Sequence, residues 1–153
     1  MKRIPRNPTL NYNEDEQKIV DHLNNGGSII IKVAGTTFES LKTGENRQDI
    51  LKRVSENPPT DMSVTLEKQL DNPYDKDAVC VRISTNEDIG FIPRKGVVTL
   101  EIPRGKRMLH GSISCDRINT ILRRMNLSGE LIEISGGFAG GSYGANLILH
   151  KLD

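Results

Sequence analysis

Hydrophobic and polar positions follow two periods along this chain, and each period predicts its own elements. Apolar residues recur at helical spacing in three stretches, so we predict helices over residues 14–25, 45–55 and 116–126. Runs rich in β-branched residues and bounded by Asn, Pro, Asp or Gly predict strands, and these lie at residues 28–33, 64–70, 78–83, 89–92, 97–102, 107–114, 129–135 and 146–152.

The number and order of these elements predict the fold class. About eight short strands with three short helices indicate a mainly β protein of the α+β class and not a parallel doubly wound sheet. We expect a small, strongly bent antiparallel sheet that closes toward a barrel, with helices over its ends. A chain of 153 residues suits one domain, which we place at residues 28–153, after a tail and short helix at residues 1–27.

The apolar stripe of each predicted helix also indicates which side chains face solvent. In the second helix Arg47, Lys52 and Arg53 are expected on the outer face, opposite the aliphatic stripe. We expect His22 of the first helix to be a surface residue and Asp116 to cap the third helix.

A turn with the sequence DNPYD lies between two predicted strands, at residues 71–75. Pro73 presets a turn, and the side chains of Asn72 and Asp75 can bond to nearby backbone N–H groups. Tyr74 and Asp75 also display an aromatic ring and a carboxylate together on a loop, which makes the turn a candidate recognition tip. Turn chemistry alone accounts for the same residue types, so a structural role stands beside the functional one.

Charge is unevenly distributed although the chain carries a net charge of only +1. Residues 90–125 hold eight Lys or Arg against two acids, a balance of +6, so the rest of the chain carries −5. Such asymmetry predicts a basic face on a nearly neutral protein. The alternative is an ordinary solvated surface whose charges point in several directions.

Other features of the sequence limit the cellular compartment and the chemistry that we expect. Two cysteines far apart in sequence indicate no disulfide framework, and Cys80 is expected to be buried. Because no secretory leader and no apolar run of spanning length is present, we expect a cytoplasmic protein with no membrane contact. The histidines lack close ligand spacing and Pro73 interrupts any calcium-loop pattern, so we expect no metal, no cofactor and no enzymatic activity.

Two motifs, NPYDKDAV at residues 72–79 and IGFIPR at residues 89–94, resemble motifs of the HIRAN domain family. Their separation along the chain is also similar to that in the family. VAGTTFE at residues 33–39 and NRQDILKRV at residues 46–54 are similar to the same family in the same order. The resemblance covers roughly residues 30–95 well and residues 128–152 loosely. It implies an OB-like β-barrel that grips the 3′ end of single-stranded DNA.

The resemblance also implies roles for the residues of the NPYD motif. Tyr74 would pack against the terminal nucleotide, Asp75 would accept a hydrogen bond from the 3′-hydroxyl, and Asn72 would shape the pocket. A carboxylate accepts well from a hydroxyl and repels a phosphate, so Asp75 would distinguish the two kinds of end. Stacking on Tyr74 would tolerate every base.

Three further residues fall on binding positions of the family. Phe38 would line the pocket, although a core phenylalanine is nearly as well supported by the pattern. Tyr143 is preferred over Phe138 as another stacking aromatic. Arg94, which follows IGFIP, stands where the family places a phosphate contact.

A secondary basic track would extend from Arg94 along Lys95, Arg104, Lys106 and Arg107. The alternative is an exposed hairpin with ordinary solvating charges. The chain departs from the family pattern here, because a hairpin at residues 97–114 delays the expected helix to residues 116–126. Such an insertion would widen a DNA track or partly cover the pocket.

Taken together, the sequence predicts a single-stranded DNA-binding module that recognises free 3′-hydroxyl ends in DNA repair or replication. A bacterial or phage origin suits such a lone domain, and the chain has no motor motifs, so a helicase or nuclease partner is expected. The first alternative is a protein-interaction or structural module on the same barrel without DNA binding. The second is a phosphodiester-processing enzyme.

Overall fold

One antiparallel sheet of eight strands, with three α-helices, is formed by the residues that the computed structural model describes, namely 11–69, 71–101 and 111–152. The helices are α1 (Glu14–Asn24), α2 (Arg47–Glu56) and α3 (Ile118–Arg123). The strands are β1 (Ser28–Lys32), β2 (Ser63–Lys68), β3 (Val79–Ile83), β4 (Asp88–Phe91), β5 (Gly96–Glu101), β6 (Gly111–Cys115), β7 (Leu127–Gly136) and β8 (Tyr143–Lys151). The predicted mainly β, antiparallel α+β class is therefore confirmed.

The strands follow the order β4-β3-β2-β7-β8-β1-β5-β6, and the sheet is not closed into a barrel. β1 already pairs with β8 on one side and β5 on the other, and within the described residues no ladder joins the edge strands β4 and β6. The expected closure into an OB-like barrel is thus wrong for the sheet as described.

The β4 edge is instead covered by the chain that follows β1. Ala34 and Phe91 exchange two backbone N–H···O bonds of 2.8 Å each, which form an isolated bridge. Gly35 has a φ of 72°, a left-handed conformation that suits glycine, and it turns the chain away after this bridge. This contact brings residues 35–46 over the end of β4.

The core lies between the sheet and the helices. Ile29 and Ile31 of β1 alternate inward, and Leu147 and Leu149 of the neighbouring β8 pack beside them. α1 begins with a capping box in which Asn13 and Glu16 satisfy each other's backbone amides. Cys80 is buried, as predicted.

Three expectations for individual helix residues are wrong. Arg47 is only 1% exposed, because its guanidinium turns back under the sheet edge to a carboxylate on β4. His22 is buried, with Nε2 2.9 Å from the Ser28 carbonyl oxygen and 2.7 Å from that of Glu101. α3 begins after Arg117 without a side-chain cap, so Asp116 does not cap it.

Asp88 and Arg47 form a buried ion pair that fixes the loop of residues 35–46. Arg47 donates to Asp88 Oδ2 from two nitrogens, at 2.7 and 3.2 Å, and to the Gly35 carbonyl oxygen at 2.9 Å. The carboxylate also accepts from the Ser40 hydroxyl and from the backbone N–H groups of Leu41 and Lys42. The Asp88 carboxylate is therefore the common hydrogen-bond acceptor for Arg47 and for residues 40–42 of the loop.

These contacts change the pKa of the Asp88 carboxyl. Burial would raise the pKa, but the hydrogen bonds from Ser40, Arg47 and the two loop amides outweigh it and lower the pKa to about 2. The folded protein thus holds Asp88 as a carboxylate well below neutral pH.

β5 and β6 pair as the predicted antiparallel hairpin. The connection between them, with Arg104, Lys106 and Arg107 of the basic track, lies outside the described residues. Among the residues that are described, no helix is both long enough and apolar enough to cross a membrane.

We expect Asp88→Asn to destabilise the protein by about 3–5 kcal/mol, because it leaves the Arg47 guanidinium buried without a counter-charge. Chemical denaturation measures the loss. The matched control is Glu45→Gln, which removes an exposed carboxylate from its 2.8 Å pair with Arg53 and should cost at most about 1 kcal/mol. Equal losses in the two variants would show that the buried Asp88–Arg47 pair contributes no more to the free energy of unfolding than the Glu45–Arg53 pair.

The contribution of Asp88 should also depend on pH. Its pKa is about 2 in the folded protein and about 3.9 in an unfolded chain, so its stabilisation is complete above about pH 4 and is lost as the pH falls through about 2. The difference in unfolding free energy between the wild type and Asp88→Asn should therefore shrink between these two pH values. A difference that stays constant over this range would contradict the low pKa.

Candidate ligand-binding cleft

A cleft of about 1020 Å³ opens between the loop of residues 35–46, the turn of residues 71–77 and the end of β4. Its lining is mostly aromatic and aliphatic: Ala34, Phe38, Leu41, Pro73, Tyr74, Ala78, Phe91 and Ile92. Of the predicted site residues, it brings together Phe38, Asn72, Tyr74, Asp75 and Arg94. These residues come from three separate stretches of sequence.

Asn72 shapes the turn through its own side chain. Its Oδ1 accepts hydrogen bonds of 2.9 Å from the backbone N–H groups of both Tyr74 and Asp75. Its Nδ2 donates to Oε1 of Gln69 at 2.9 Å. The predicted turn chemistry is therefore present, and it fixes the backbone that carries the ring and the carboxylate.

Asp75 is held from α3 as well as from its own turn. Its Oδ2 accepts from Nδ2 of the buried Asn119 at 2.7 Å, and its Oδ1 accepts from the backbone N–H of Asp77 at 2.9 Å. Thr120 donates to Asp77 at 2.9 Å, and Arg123 donates to the carbonyl oxygen of Lys76. The second half of the turn, Asp75 to Asp77, is thus anchored to the short helix.

Two aromatic rings on this cleft are largely solvent-exposed. Tyr74 is 92% exposed and Phe38 is 68% exposed, and both line the cleft. Large apolar side chains normally lie in the core, so two exposed rings on one concavity indicate a surface that contacts something else. Their loops are held by hydrogen bonds, with Phe38 N–H donating to Gly35 and Phe38 C=O accepting from Arg47.

Arg94 and Asp75 lie where the cleft meets a second hollow of about 320 Å³. Both hollows share Tyr74, Asp75 and Arg94, and the second is completed by residues that include Asp116 and Arg117. Arg94 Nη2 is 3.9 Å from Asp75 Oδ2, so the two charges are close without a hydrogen bond. Lys95, the next residue of the predicted track, is exposed but lines neither hollow.

Tyr143 is not among the residues that line either of these hollows. Its backbone N–H donates to Gln48 Oε1 at 2.6 Å and its carbonyl oxygen accepts from Gln48 Nε2 at 3.0 Å. The Tyr143 ring packs on the core and lies so close to Gly137 that a side chain at position 137 would place its Cβ 2.4 Å from the ring. A role of Tyr143 in binding stays a prediction.

The cleft contains carboxylates as well as cations. The exposed side chains of Glu39 and Asp71 line it together with Asp75, whereas the only lining cations among the described residues are Arg47 and Arg94. Arg47 is neutralised by Asp88, and its guanidinium carbon stands 5.1 Å from the centroid of the Phe91 ring. The floor beneath the Phe91 ring is therefore apolar and neutral, whereas the rest of the described lining carries three carboxylates against Arg94.

Sequence patterns missed several residues that build this cleft, above all Arg47, Asp88 and Asn119. Arg47 and Asp88 meet across 41 positions, and Asn119 reaches Asp75 across 44, so no local pattern relates them. An ionisable residue in an apolar run is the one available signal, and Asp88 carries it because Ile89, Phe91 and Ile92 follow directly.

The described side chains offer little for covalent or metal chemistry. Burial raises the pKa of the Cys80 thiol to about 11 and also raises that of Cys115, so both are poor nucleophiles at neutral pH. Within the described ranges, no group of three His, Cys, Asp or Glu residues is placed to hold a metal ion.

No protein-family model, no curated protein and no solved structure matches this chain. The function is therefore inferred from the chain's own residues, with the motif resemblance beside them.

We expect Asn72→Ala to loosen the turn, because two backbone N–H groups lose their acceptor. Each lost hydrogen bond should cost about 0.5–1.5 kcal/mol of local stability. Amide hydrogen exchange at Tyr74 and Asp75 should become about tenfold faster or more. Asn72→Asp is the control, since it keeps the accepting oxygen and should retain most of the protection. Unchanged exchange in Asn72→Ala would show that other contacts set the turn.

Proposed function

We propose that the cleft binds the 3′-terminal nucleotide of single-stranded DNA. The observation that carries this proposal is the presence of two exposed aromatic rings, Tyr74 and Phe38, on one cleft that also holds Asp75 and Arg94. Protein sites for unpaired nucleic acid combine aromatic platforms for the bases with cations for the backbone. The resemblance to the HIRAN domain family supports the same function.

The aromatic rings would supply most of the affinity. Stacking of a base on an aromatic side chain is worth about 1–3 kcal/mol and is insensitive to base identity. The turn and loop that carry the rings are already fixed by hydrogen bonds, so little ordering of the protein would accompany binding. This predicts a module that holds strand ends without reading sequence.

Asp75 would select the chemistry of the end. Each of its oxygens accepts one hydrogen bond within the protein, and a carboxylate oxygen has capacity for another. A 3′-hydroxyl can therefore donate to it, whereas a 3′-phosphate would place like charges together. Arg94, 68% exposed at the side chain beside Asp75, would contact a backbone phosphate of the bound strand.

The cellular role that follows is the handling of strand ends in DNA repair or replication, together with a helicase or nuclease partner. This part of the proposal, and an OB-like relationship of the fold, rests on the family resemblance alone.

A second candidate function is a protein-interaction module. Its specific support is the pair of exposed carboxylates, Glu39 and Asp71, on a cleft whose lining is largely aromatic and aliphatic. Such a lining suits a peptide segment with aliphatic and basic side chains, and it is less favourable for a long polyanion.

The deciding experiment is a titration of labelled single-stranded oligonucleotides that end in a 3′-hydroxyl or a 3′-phosphate. We expect tighter binding of the hydroxyl end, and Tyr74→Ala should lower affinity by about 5-fold to 150-fold, which corresponds to the loss of one stacking contact. Asp75→Ala should remove the preference between the two ends. The matched control is Phe138→Ala, since Phe138 is 84% exposed but does not line the cleft.

Other outcomes identify the alternatives. Equal affinity for both ends and for Tyr74→Ala would leave only a generic charged surface and contradict end recognition. No binding of any oligonucleotide would favour the protein-interaction module. Metal-dependent loss of the oligonucleotide would instead indicate a phosphodiester-processing enzyme.

A further inference from the structure

The charges around Asp75 do not by themselves recognise a 3′-hydroxyl. The formal charges that line the second hollow balance, because they are Asp75, Asp77 and Asp116 against Lys76, Arg94 and Arg117. A strand with a 3′-hydroxyl and a strand without it also carry the same charge, so the electrostatic field of the hollow cannot distinguish them. Recognition of the hydroxyl therefore depends on an acceptor that is held in a fixed position.

Asn119 holds the Asp75 carboxylate from outside the turn. Its side chain is buried, and its Nδ2 donates to Asp75 Oδ2 at 2.7 Å. Its Oδ1 accepts from the backbone N–H of Thr120 at 2.9 Å, so the nitrogen of the amide, and not the oxygen, faces the carboxylate. Because both ends of this amide are engaged, the donor beside Asp75 is fixed.

The other carboxylate oxygen is held by the turn itself. Asp75 Oδ1 accepts from the backbone N–H of Asp77 at 2.9 Å. One contact to each oxygen sets the orientation of the carboxylate, and each oxygen retains capacity for a second hydrogen bond. The carboxylate is therefore oriented by the protein without being saturated by it.

The first turn of α3 also holds the backbone of Arg94. Ile118, the first residue of α3, donates its backbone N–H to the Arg94 carbonyl oxygen at 2.8 Å. The side chain of Ile118 is buried in the core. Two adjacent helix residues, Ile118 and Asn119, thus hold both charged residues of the proposed site.

Asn119 occupies an oxygen with which Arg94 could otherwise pair. Arg94 Nη2 is 3.9 Å from Asp75 Oδ2, which is within ion-pair range but too long for a hydrogen bond. Arg117, another cation of the hollow, is held instead by Glu16 at 2.8 and 2.5 Å. If the Asn119 donor were lost, the exposed Arg94 side chain could turn to Oδ2. A direct pair would then engage both charged groups that the proposed ligand needs.

We propose that Asn119 is the positioning residue for recognition of the 3′-hydroxyl. It orients the Asp75 carboxylate toward the end of the strand and keeps Arg94 from replacing the ligand on Oδ2. This inference rests on the proposed function and adds to it a residue that determines specificity by acting through Asp75.

The test uses two oligonucleotides that differ only in the 3′-hydroxyl, because one of them ends in a 2′,3′-dideoxynucleotide. A hydrogen bond to a carboxylate should make the wild type bind the hydroxyl end about 10-fold to 150-fold more tightly. Asn119→Leu removes the amide and keeps a side chain of similar size, and it should lower this ratio to less than about 3-fold. A merely structural role would weaken binding of both oligonucleotides alike and leave the ratio unchanged.

Thr120→Val is the matched control on the same helix. It removes the 2.9 Å bond from Thr120 to Asp77, keeps the shape of the side chain and leaves the bond between Asn119 and Asp75 in place. It should keep the wild-type ratio. A fall of the ratio in Thr120→Val as large as that in Asn119→Leu would overturn the specific role of Asn119.

Nuclear magnetic resonance of the wild type tests the proposal even if the buried substitution prevents folding. The side-chain amide signals of Asn119 should shift more with the hydroxyl oligonucleotide than with the dideoxy one, because only the former adds a donor to the carboxylate that this amide contacts. Gln48 is the internal control, since its side-chain amide binds Thr36 and Tyr143 and should respond equally to both. Equal shifts at Asn119 would overturn the proposal.

The wild-type affinities separate this inference from the proposed function. A wild type that binds both ends equally, or binds neither, overturns recognition of the 3′-hydroxyl and the role of Asn119 with it. A wild-type preference that Asn119→Leu retains overturns the role of Asn119 alone, and end recognition stands.

Discussion

The structure of the cleft depends on one buried charge, the carboxylate of Asp88. It is fully buried and is matched by Arg47 and by donors from residues 40–42. A buried ion pair gains little net stability over apolar residues, since desolvation offsets much of the attraction, but breaking it leaves a charge uncompensated. Its contacts to Ser40, Leu41 and Lys42 also hold the 35–46 loop in the arrangement that places Phe38 and Leu41 along the cleft.

The opposite side of the cleft is fixed by different means. Asn72 satisfies the backbone of the 71–77 turn from within, and Asn119 and Thr120 reach it from α3 through short polar contacts. Both sides are thus held by hydrogen bonds from polar side chains, some to backbone groups and some to other side chains, while the rings of Tyr74 and Phe38 face solvent. Rings exposed on fixed backbones bind with less loss of conformational freedom than rings on loose loops.

Sequence periodicity located the strands and helices because alternation and helical spacing are local properties. It misplaced Arg47 and His22 because their partners are distant: Asp88 for the first, and the carbonyl groups of Ser28 and Glu101 for the second. It also could not give the strand order, in which no ladder among the described residues joins the two edge strands β4 and β6. The resemblance did indicate five residues that meet in the cleft, namely Phe38, Asn72, Tyr74, Asp75 and Arg94, whereas Lys95 and Tyr143 do not line it.

The buried pair also bears on the ligand that we propose for the cleft. Because Asp88 neutralises Arg47 beneath the Phe91 ring, a flat apolar group can enter without removing an ion from water. Asp75 and Arg94 lie where the two hollows meet, and under our proposal they recognise the polar part of the ligand. A ligand that matches this division has an aromatic face joined to a hydroxyl and an adjacent negative charge. A nucleotide at a strand end has this combination, whereas an internal nucleotide lacks the free hydroxyl, and this difference is the physical basis for proposing that the cleft recognises ends.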